Sequence, residues 1–289
     1  MKISEHELQN LVTCAALAAT RAGEFIARSR PERIERKSGG DTHASQIVTD
    51  VDRRSQEIIL ETLAPTVARF DLGVLAEEQH DDGLRLSKDY FWSIDPLDGT
   101  LPFVESRPGY AVSIALVARD GVPLLGVVLD PVDGVLYQAA RGAGIDRNGE
   151  PWTAAPDRSS RTLALFSDRS FAATAEYAPF VAGLGRVARD LGLTGVDIRP
   201  TAGAVMSACG TLENPLACYV KFPKTRPGGG SLWDFAATAC LFHEAGYVVT
   251  DIHGGQLDLN RADSTFMNHR GVLFASTTEL AARIRALRP

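Results

Sequence analysis

The run from Phe91 to Thr100, Phe-Trp-Ser-Ile-Asp-Pro-Leu-Asp-Gly-Thr, constrains this chain more than any other segment. Phe91 to Ile94 has the apolar character of a buried strand. Pro96 biases Asp95 toward an extended backbone, so the strand is expected to close at Asp95, with Asp98 just beyond, where the chain turns. Gly99 has no side chain to hold a ligand off, and the amides of Gly99 and Thr100 would face an anion if a helix starts there. Two carboxylates and exposed donors within so few residues suit a hard cation and a phosphate.

Around this corner the chain reads as helices first, then a largely antiparallel sheet. Ser4 and Glu7 form a capping box ahead of Leu8, Leu11, Ala15, Ala18, Ala22 and Phe25 at helical spacing, and Pro31 ends that helix. Lys37 to His43 reads as a mobile loop. A second helix is expected from Val51 to Leu63, stopped by Pro65. Leu72 to Leu75, Ala111 to Ala118 and Leu124 to Leu129 have strand character, and Arg119-Asp120-Gly121 joins the last two as a hairpin. Asp133-Gly134 marks another turn, before Val135 to Ala139. The polar stretch Trp152 to Ser160 marks a domain boundary. Beyond it, strand-like Thr162 to Phe166 and Val196 to Arg199 alternate with helical Ala172 to Leu191 and Leu232 to Ala245. Gly246 suits the cap of that last helix, and Tyr247 to Thr250 should be the next strand.

Composition removes several function classes. A net charge of −6 argues against a binder of nucleic-acid polymers. No apolar run approaches the ~20 residues of a membrane span, and polar Met1 to Asn10 lacks the character of a secretory signal. Cys14, Cys209, Cys218 and Cys240 form no C-x-x-C pair and read as reduced, buried thiols of a cytoplasmic protein. The histidines are scattered, so nothing suggests zinc.

Other acids are candidates for the same corner: Asp50 and Asp52, Glu77 and Glu78, and Asp234. Taken singly, Asp50, Asp52 and Asp234 are favourable charges at helix N-termini, and the glutamates are a solvated strand edge. Taken together they are something else. Two carboxylates about 4 Å apart repel by ~4 kcal/mol at an effective dielectric near 20, so a converged cluster demands cations or protons.

The stretch Asp95-Pro96-Leu97-Asp98-Gly99-Thr100 resembles the D-P-[IL]-D-G-[ST] motif of the inositol monophosphatase superfamily. Val48-Thr49-Asp50-Val51-Asp52 is similar to its V-T-x-x-D, Ala76-Glu77-Glu78 to its G-E-E, and Trp233-Asp234-Phe235-Ala236-Ala237 to its W-D-x-A-A/G. Glu244-Ala245-Gly246 matches the E-A-G that closes the last helix of that set. Order and spacing agree from Leu8 to Phe274.

The resemblance implies a mixed α+β and α/β fold, a layered α-β-α-β-α sandwich of the sugar-phosphatase type. It implies a subdomain over 1–155 with most of the metal ligands, and another over 156–289 that supplies Asp234 and a substrate-side loop. It implies about two or three Mg2+ ions held by Glu77, Asp95, the Leu97 carbonyl, Asp98 and Asp234. Asp52, Glu77 and Thr100 would lie beside the nucleophilic water. Asp98, Gly99, Thr100, Ala202, Gly203 and Lys221 would meet the substrate, and Lys37 would lie in a loop that closes the site. Lithium sensitivity and a homodimer are the corresponding expectations, with no nucleic-acid or membrane partner.

Two departures bear on the substrate. Leu101-Pro102-Phe103 replaces both the T-N-F of inositol monophosphatases and the K-E-F of bisphosphate nucleotidases. Lys221 stands where the superfamily often has a substrate-contacting acid, followed by an inserted Lys224 to Gly230, either a basic surface loop or a lid that meets a second anionic group. Ser264-Thr265-Phe266-Met267-Asn268 resembles a segment of bacterial bisphosphate nucleotidases. The leading expectation is hydrolysis of a small phosphorylated polyol such as inositol monophosphate by metal-activated water. The alternative is a 3′(2′),5′-bisphosphate nucleotidase acting on 3′-phosphoadenosine 5′-phosphate. A third reading is a catalytically silent binder of phosphate metabolites, against which the intact acid set argues. Gly142-Ala143-Gly144 does not make a nicotinamide loop, because Arg147 falls at the third glycine position.

Overall fold

The Ser4 hydroxyl accepts from the Glu7 amide and the Glu7 carboxylate accepts from the Ser4 amide, which starts helix α1 (Glu5–Arg28) where the sequence places it. The computed structural model describes residues 2–30, 33–36, 47–153, 160–200 and 203–287. The loop from Lys37 to His43, and Ala202, lie outside the described residues. A short antiparallel pair, β1 (Ile34–Arg36) and β2 (Ile47–Thr49), leads into helix α2 (Asp50–Phe70).

Helix α2 does not stop at Pro65, as the sequence reading expects. A proline inside a helix costs roughly 3 kcal/mol through a lost hydrogen bond and a steric clash. Here the buried face continues through Leu63, Thr66 and Phe70, and the Trp92 indole N–H donates to Thr66 Oγ1 at 3.0 Å. A buried Phe contributes about 1.5–3 kcal/mol and the hydrogen bond about 1 kcal/mol, enough to carry the helix through.

Next come β3 (Gly73–Ala76), β4 (Tyr90–Asp98), the short α3 (Thr100–Val104), β5 (Ala111–Ala118), β6 (Pro123–Asp130), β7 (Val135–Ala140), β8 (Gly144–Arg147) and β9 (Glu150–Pro151). They form one sheet in sequential order from β3 to β9, antiparallel except for β3 beside β4. A second sheet begins after the polar stretch, of which residues 154–159 lie outside the described residues. It comprises β10 (Thr162–Phe166), β11 (Gly195–Arg199), β12 (Ala217–Lys221), β13 (Val248–Thr250) and β14 (Val272–Ala275) in the order β11-β10-β12-β14-β13. Its helices are α4 (Tyr177–Asp190), α5 (Ala204–Leu212), α6 (Leu232–Glu244) and α7 (Thr278–Ala286).

Strand periodicity shows how these pieces layer. Along β5, Val112, Ile114 and Leu116 pack with α1 and α2, while Ala111, Ala115 and Val117 pack with α5, α6 and the second sheet. Along β10, Ala164 and Phe166 join that central core, while Leu163 and Leu165 join α4 and α7. Period-two alternation on both sheets therefore yields the layers α-β-α-β-α, with three apolar cores between them. Helix α6 lies almost on the backbone of β6: a Cβ at Gly126 would sit 2.3 Å from the Ala237 carbonyl oxygen.

Candidate metal and phosphate site

Strand β4 runs on to Asp98 and does not close at Asp95. Asp95 pairs with Ser113 and Asp98 with Ala111, so the register slips between them. In a regular strand residues three apart face opposite sides. The irregularity removes that alternation and lets Asp95 and Asp98 share one side, with Pro96 at the slip, where its missing N–H is tolerated. The Ser55 hydroxyl fixes the segment by donating to the Pro96 carbonyl at 3.0 Å.

Each remaining acid reaches this corner through its own element. Parallel pairing sets Ala76 opposite Ile94, so Glu77, whose amide donates to Ile94 O at 3.2 Å, comes alongside Asp95, near enough to push its carboxyl up. Asp234 stands in the first turn of α6 and accepts the Ser231 amide at 3.0 Å, so it is a helix cap as well. The α6 N-terminus is tied to the sheet where the Ser113 hydroxyl donates to the Trp233 carbonyl at 3.2 Å, directly beside Asp95. One carboxylate oxygen from each of Asp95, Asp98 and Asp234 then lies within 4.8 Å of the others. Glu77 joins this trio through Asp95.

Asp98 also bridges to the second sheet's helices. Its carboxylate accepts the Ala204 amide at 3.2 Å and the Val205 amide at 2.8 Å, at the start of α5. Gly203 makes room for this, since a Cβ there would be 2.3 Å from Asp98 Oδ2. Gly99 takes a left-handed φ of 82°, and its Cβ would strike the Gly109 carbonyl. That turn starts α3 at Thr100, with Pro102 in the first turn, where a proline costs little. Leu101-Pro102-Phe103 is therefore a helix start.

Asp52 does both things that its sequence context offers. It completes the capping box of α2 with Thr49, and its Oδ1 accepts the Thr100 hydroxyl at 2.9 Å. Burial pushes its carboxyl up to about 6, with Glu78 adding repulsion against the Thr49 and Thr100 hydrogen bonds. Burial likewise raises Asp98 to about 8, reinforced by Asp234. Asp95 is held well above the usual carboxylate range by burial and then by Glu77, Asp98 and Asp234. As bare protein, this cluster must take up protons.

The donors fit a hard divalent cation: carboxylates, a main-chain carbonyl at Leu97 beside them, and no sulfur or imidazole in the trio. Among the described residues this trio is the one His/Cys/Asp/Glu group close enough to hold a metal.

Lys221, at the end of β12, points into the same region. It pairs with Asp168 at 3.0 Å, and the Tyr219 hydroxyl donates to the other Asp168 oxygen at 3.3 Å. Sequence reasoning missed Asp168 and the α5 amides, which carry no motif and act only through tertiary position. The insertion from Lys224 to Gly230 is pinned: Asn268 exchanges hydrogen bonds with the Lys224 backbone, and the Met267 amide donates to Gly230 O. Gly230 has a φ of 82°, and a Cβ there would come within 2.7 Å of Asp234 Oδ2. Glu244, at the far end of α6, accepts the Gly142 and Gly144 amides at 3.0 and 2.9 Å, which gives that glycine pair a structural explanation.

A family model described as the inositol monophosphatase family matches residues 7–288. The chain is 31% identical to an inositol-1-monophosphatase of Synechocystis over 89% of its length and 84% of the relative's. It is 29% identical to the Nus factor SuhB of Escherichia coli K12, over 85% and 86%. The solved structure of an inositol monophosphatase from Anabaena superposes with a TM-score of 0.70 at 25% identity, covering 98% of this chain and 97% of that one.

Proposed function

This chain belongs to the inositol monophosphatase family and is a metal-dependent phosphatase; from that premise we propose that it hydrolyses a small phosphorylated polyol, such as inositol monophosphate, with Mg2+ at Asp95, Asp98, Asp234, Glu77 and the Leu97 carbonyl. The observation that carries this is the 4.8 Å trio of carboxylates beside the Gly99 turn. When bound, the ions would supply the positive charge that activates the attacking water and neutralises the leaving oxygen.

The chain's own groups do the rest. Thr100 Oγ donates its proton to Asp52, so its lone pairs are left to accept from, and orient, the attacking water. Glu77 lies on the same side and can take up the proton released. The amides of Gly99 and Thr100 face the phosphate oxygens. Gly203 and the first turn of α5, whose amides hold Asp98, border the same site, and Lys221 lies near Asp98 and Asp234. The division into 1–155 and 156–289, with the site between the halves, belongs to the same reading, as does inhibition by lithium. Lys37 and Ala202 keep their proposed roles as closing loop and substrate contact, although both lie outside the described residues.

The test is a panel of inositol 1-phosphate, 3′-phosphoadenosine 5′-phosphate and a simple sugar phosphate, each with magnesium and with EDTA. Magnesium-dependent release of phosphate from the polyol ester is the expected result. Turnover of the nucleotide alone would replace the polyol reading with the nucleotidase one. Ligand binding without turnover of any ester would leave only a silent binder.

A further inference from the structure

We propose that the natural substrate carries a second anionic group, phosphate or carboxylate, beside the ester that is cleaved, and that the Lys221 ammonium, aimed by Asp168, selects it. This rests on the phosphatase reading above and narrows its substrate: inositol monophosphate, with a single anionic group, would be turned over as an analogue, less well than an ester that carries a second anion.

Lysine is seldom buried, because its charge loses water on entering the fold. The Lys221 side chain is 12% exposed. Among the described residues its ammonium has one hydrogen-bonding partner, Asp168 Oδ2 at 3.0 Å, so two of its three N–H donors are left for another acceptor. Asp168 is held at both oxygens, by Lys221 and by the Tyr219 hydroxyl. The Phe235 ring lies 5.8 Å from Nζ on another side. The ammonium is therefore fixed in direction.

Its position argues against a purely structural pair. Asp234 and Asp98 are near enough to favour its charged form, so Lys221 lies beside the carboxylates that suit a divalent ion. A permanent cation there weakens metal binding by like-charge repulsion unless an anion comes between them. An apolar pair of similar volume would fill the space without that cost. A substrate with one anion at the ions and another at the ammonium resolves the conflict.

The surroundings extend the same way. Arg169, next to Asp168, donates to Glu105 at 3.0 Å, and Arg107 pairs with the same carboxylate. Side-chain exposure rises along this string, from 12% at Lys221 and 29% at Asp168 to 38% at Arg169 and 47% at Arg107. This string of ion pairs sets three cations against two carboxylates.

The probes share one carbon skeleton: glycerol 1-phosphate, 3-phosphoglycerate with an added carboxylate, and glycerol 1,3-bisphosphate with an added phosphate. With magnesium, at least one doubly anionic ester should exceed glycerol 1-phosphate in kcat/KM by about tenfold, equivalent to about 1.4 kcal/mol, and mainly through KM. Which arm wins identifies the anion. Lys221→Gln should bring the ratio near unity, Lys221→Arg should retain a preference, and Lys221→Glu should invert it. Asp168→Asn, which leaves the ammonium unaimed, should lose part of it. Equal kcat/KM on all probes in the parent protein, or the same fold-loss on all of them in Lys221→Gln, overturns the proposal. Calorimetric titration of glycerol 1,3-bisphosphate in calcium gives a readout apart from turnover. Binding that Lys221→Gln abolishes, without hydrolysis of any ester, would keep the anion selection and discard the phosphatase reading.

Discussion

Asp98 has two roles at once, since it is one of the carboxylates within 4.8 Å and also the acceptor of two α5 amides. Asp98→Asn should lower kcat by about 10²–10³-fold, the scale of losing one preorganised electrostatic contact. The fold should survive with a stability loss of about 1 kcal/mol, because one lost amide bond is partly offset by relief of repulsion. Phosphate release and urea denaturation read the two effects, and near-normal turnover would remove Asp98 from the site. The same residue sets a pH dependence. In the bare protein its carboxyl is raised to about 8 from 3.8, so between those values the folded chain holds a proton that the unfolded chain has released. Stability of metal-free protein should therefore fall as pH rises from about 4 to about 8, and level off above. Melting in EDTA at about pH 5.5 and about pH 8 should show the lower Tm at the higher pH. Magnesium should restore it most at the alkaline end, and a flat profile would mean that the cluster holds no excess protons.

At the level of elements, helix α6 is the piece that must be placed correctly. It carries Asp234 at one end and Glu244 at the other, and its middle lies on Gly126 with no room for a methyl group. Gly126→Ala should lift the helix from the sheet and destabilise the fold by about 1–3 kcal/mol, the usual range for overpacking, while also weakening magnesium affinity. Guanidinium denaturation and a magnesium titration of activity check both effects; a stable variant with weakened magnesium affinity would mean that the helix pivots without unfolding. Most elements were legible because alternation and caps are local: β5 and β10 lie where apolar period-two runs lie, and α1 starts at its capping box. The departures are tertiary. Pro65 stays inside α2 because Trp92 and Phe70 hold the last turn, and β4 runs to Asp98 because a register slip, invisible to propensity, accommodates Pro96. Helix α5 and strands β12 and β14 were not read from the sequence. Their short apolar runs lack alternation against polar residues, since both faces are buried.

For the whole molecule, convergence is what the sequence withheld. Asp95 and Asp98 were readable as a pair from their spacing, whereas Asp234 and Glu77 reach them only through α6 packing and the β3–β4 register. Motif resemblance grouped Asp95, Asp98, Asp234 and Glu77 in advance, while Asp168, which matches no motif, went unseen. Among the described residues no helix is long and apolar enough to cross a membrane. The Asp98 hydrogen bonds to Ala204 and Val205 have one further consequence. A residue suited to gripping an ion also fastens a first-sheet strand to the helix that starts at Ala204. Ion occupancy and the tether between β4 and the start of α5 thus depend on a single carboxylate, and draining the centre of its counter-charge would loosen that tether while the apolar core shared by the two sheets stays packed.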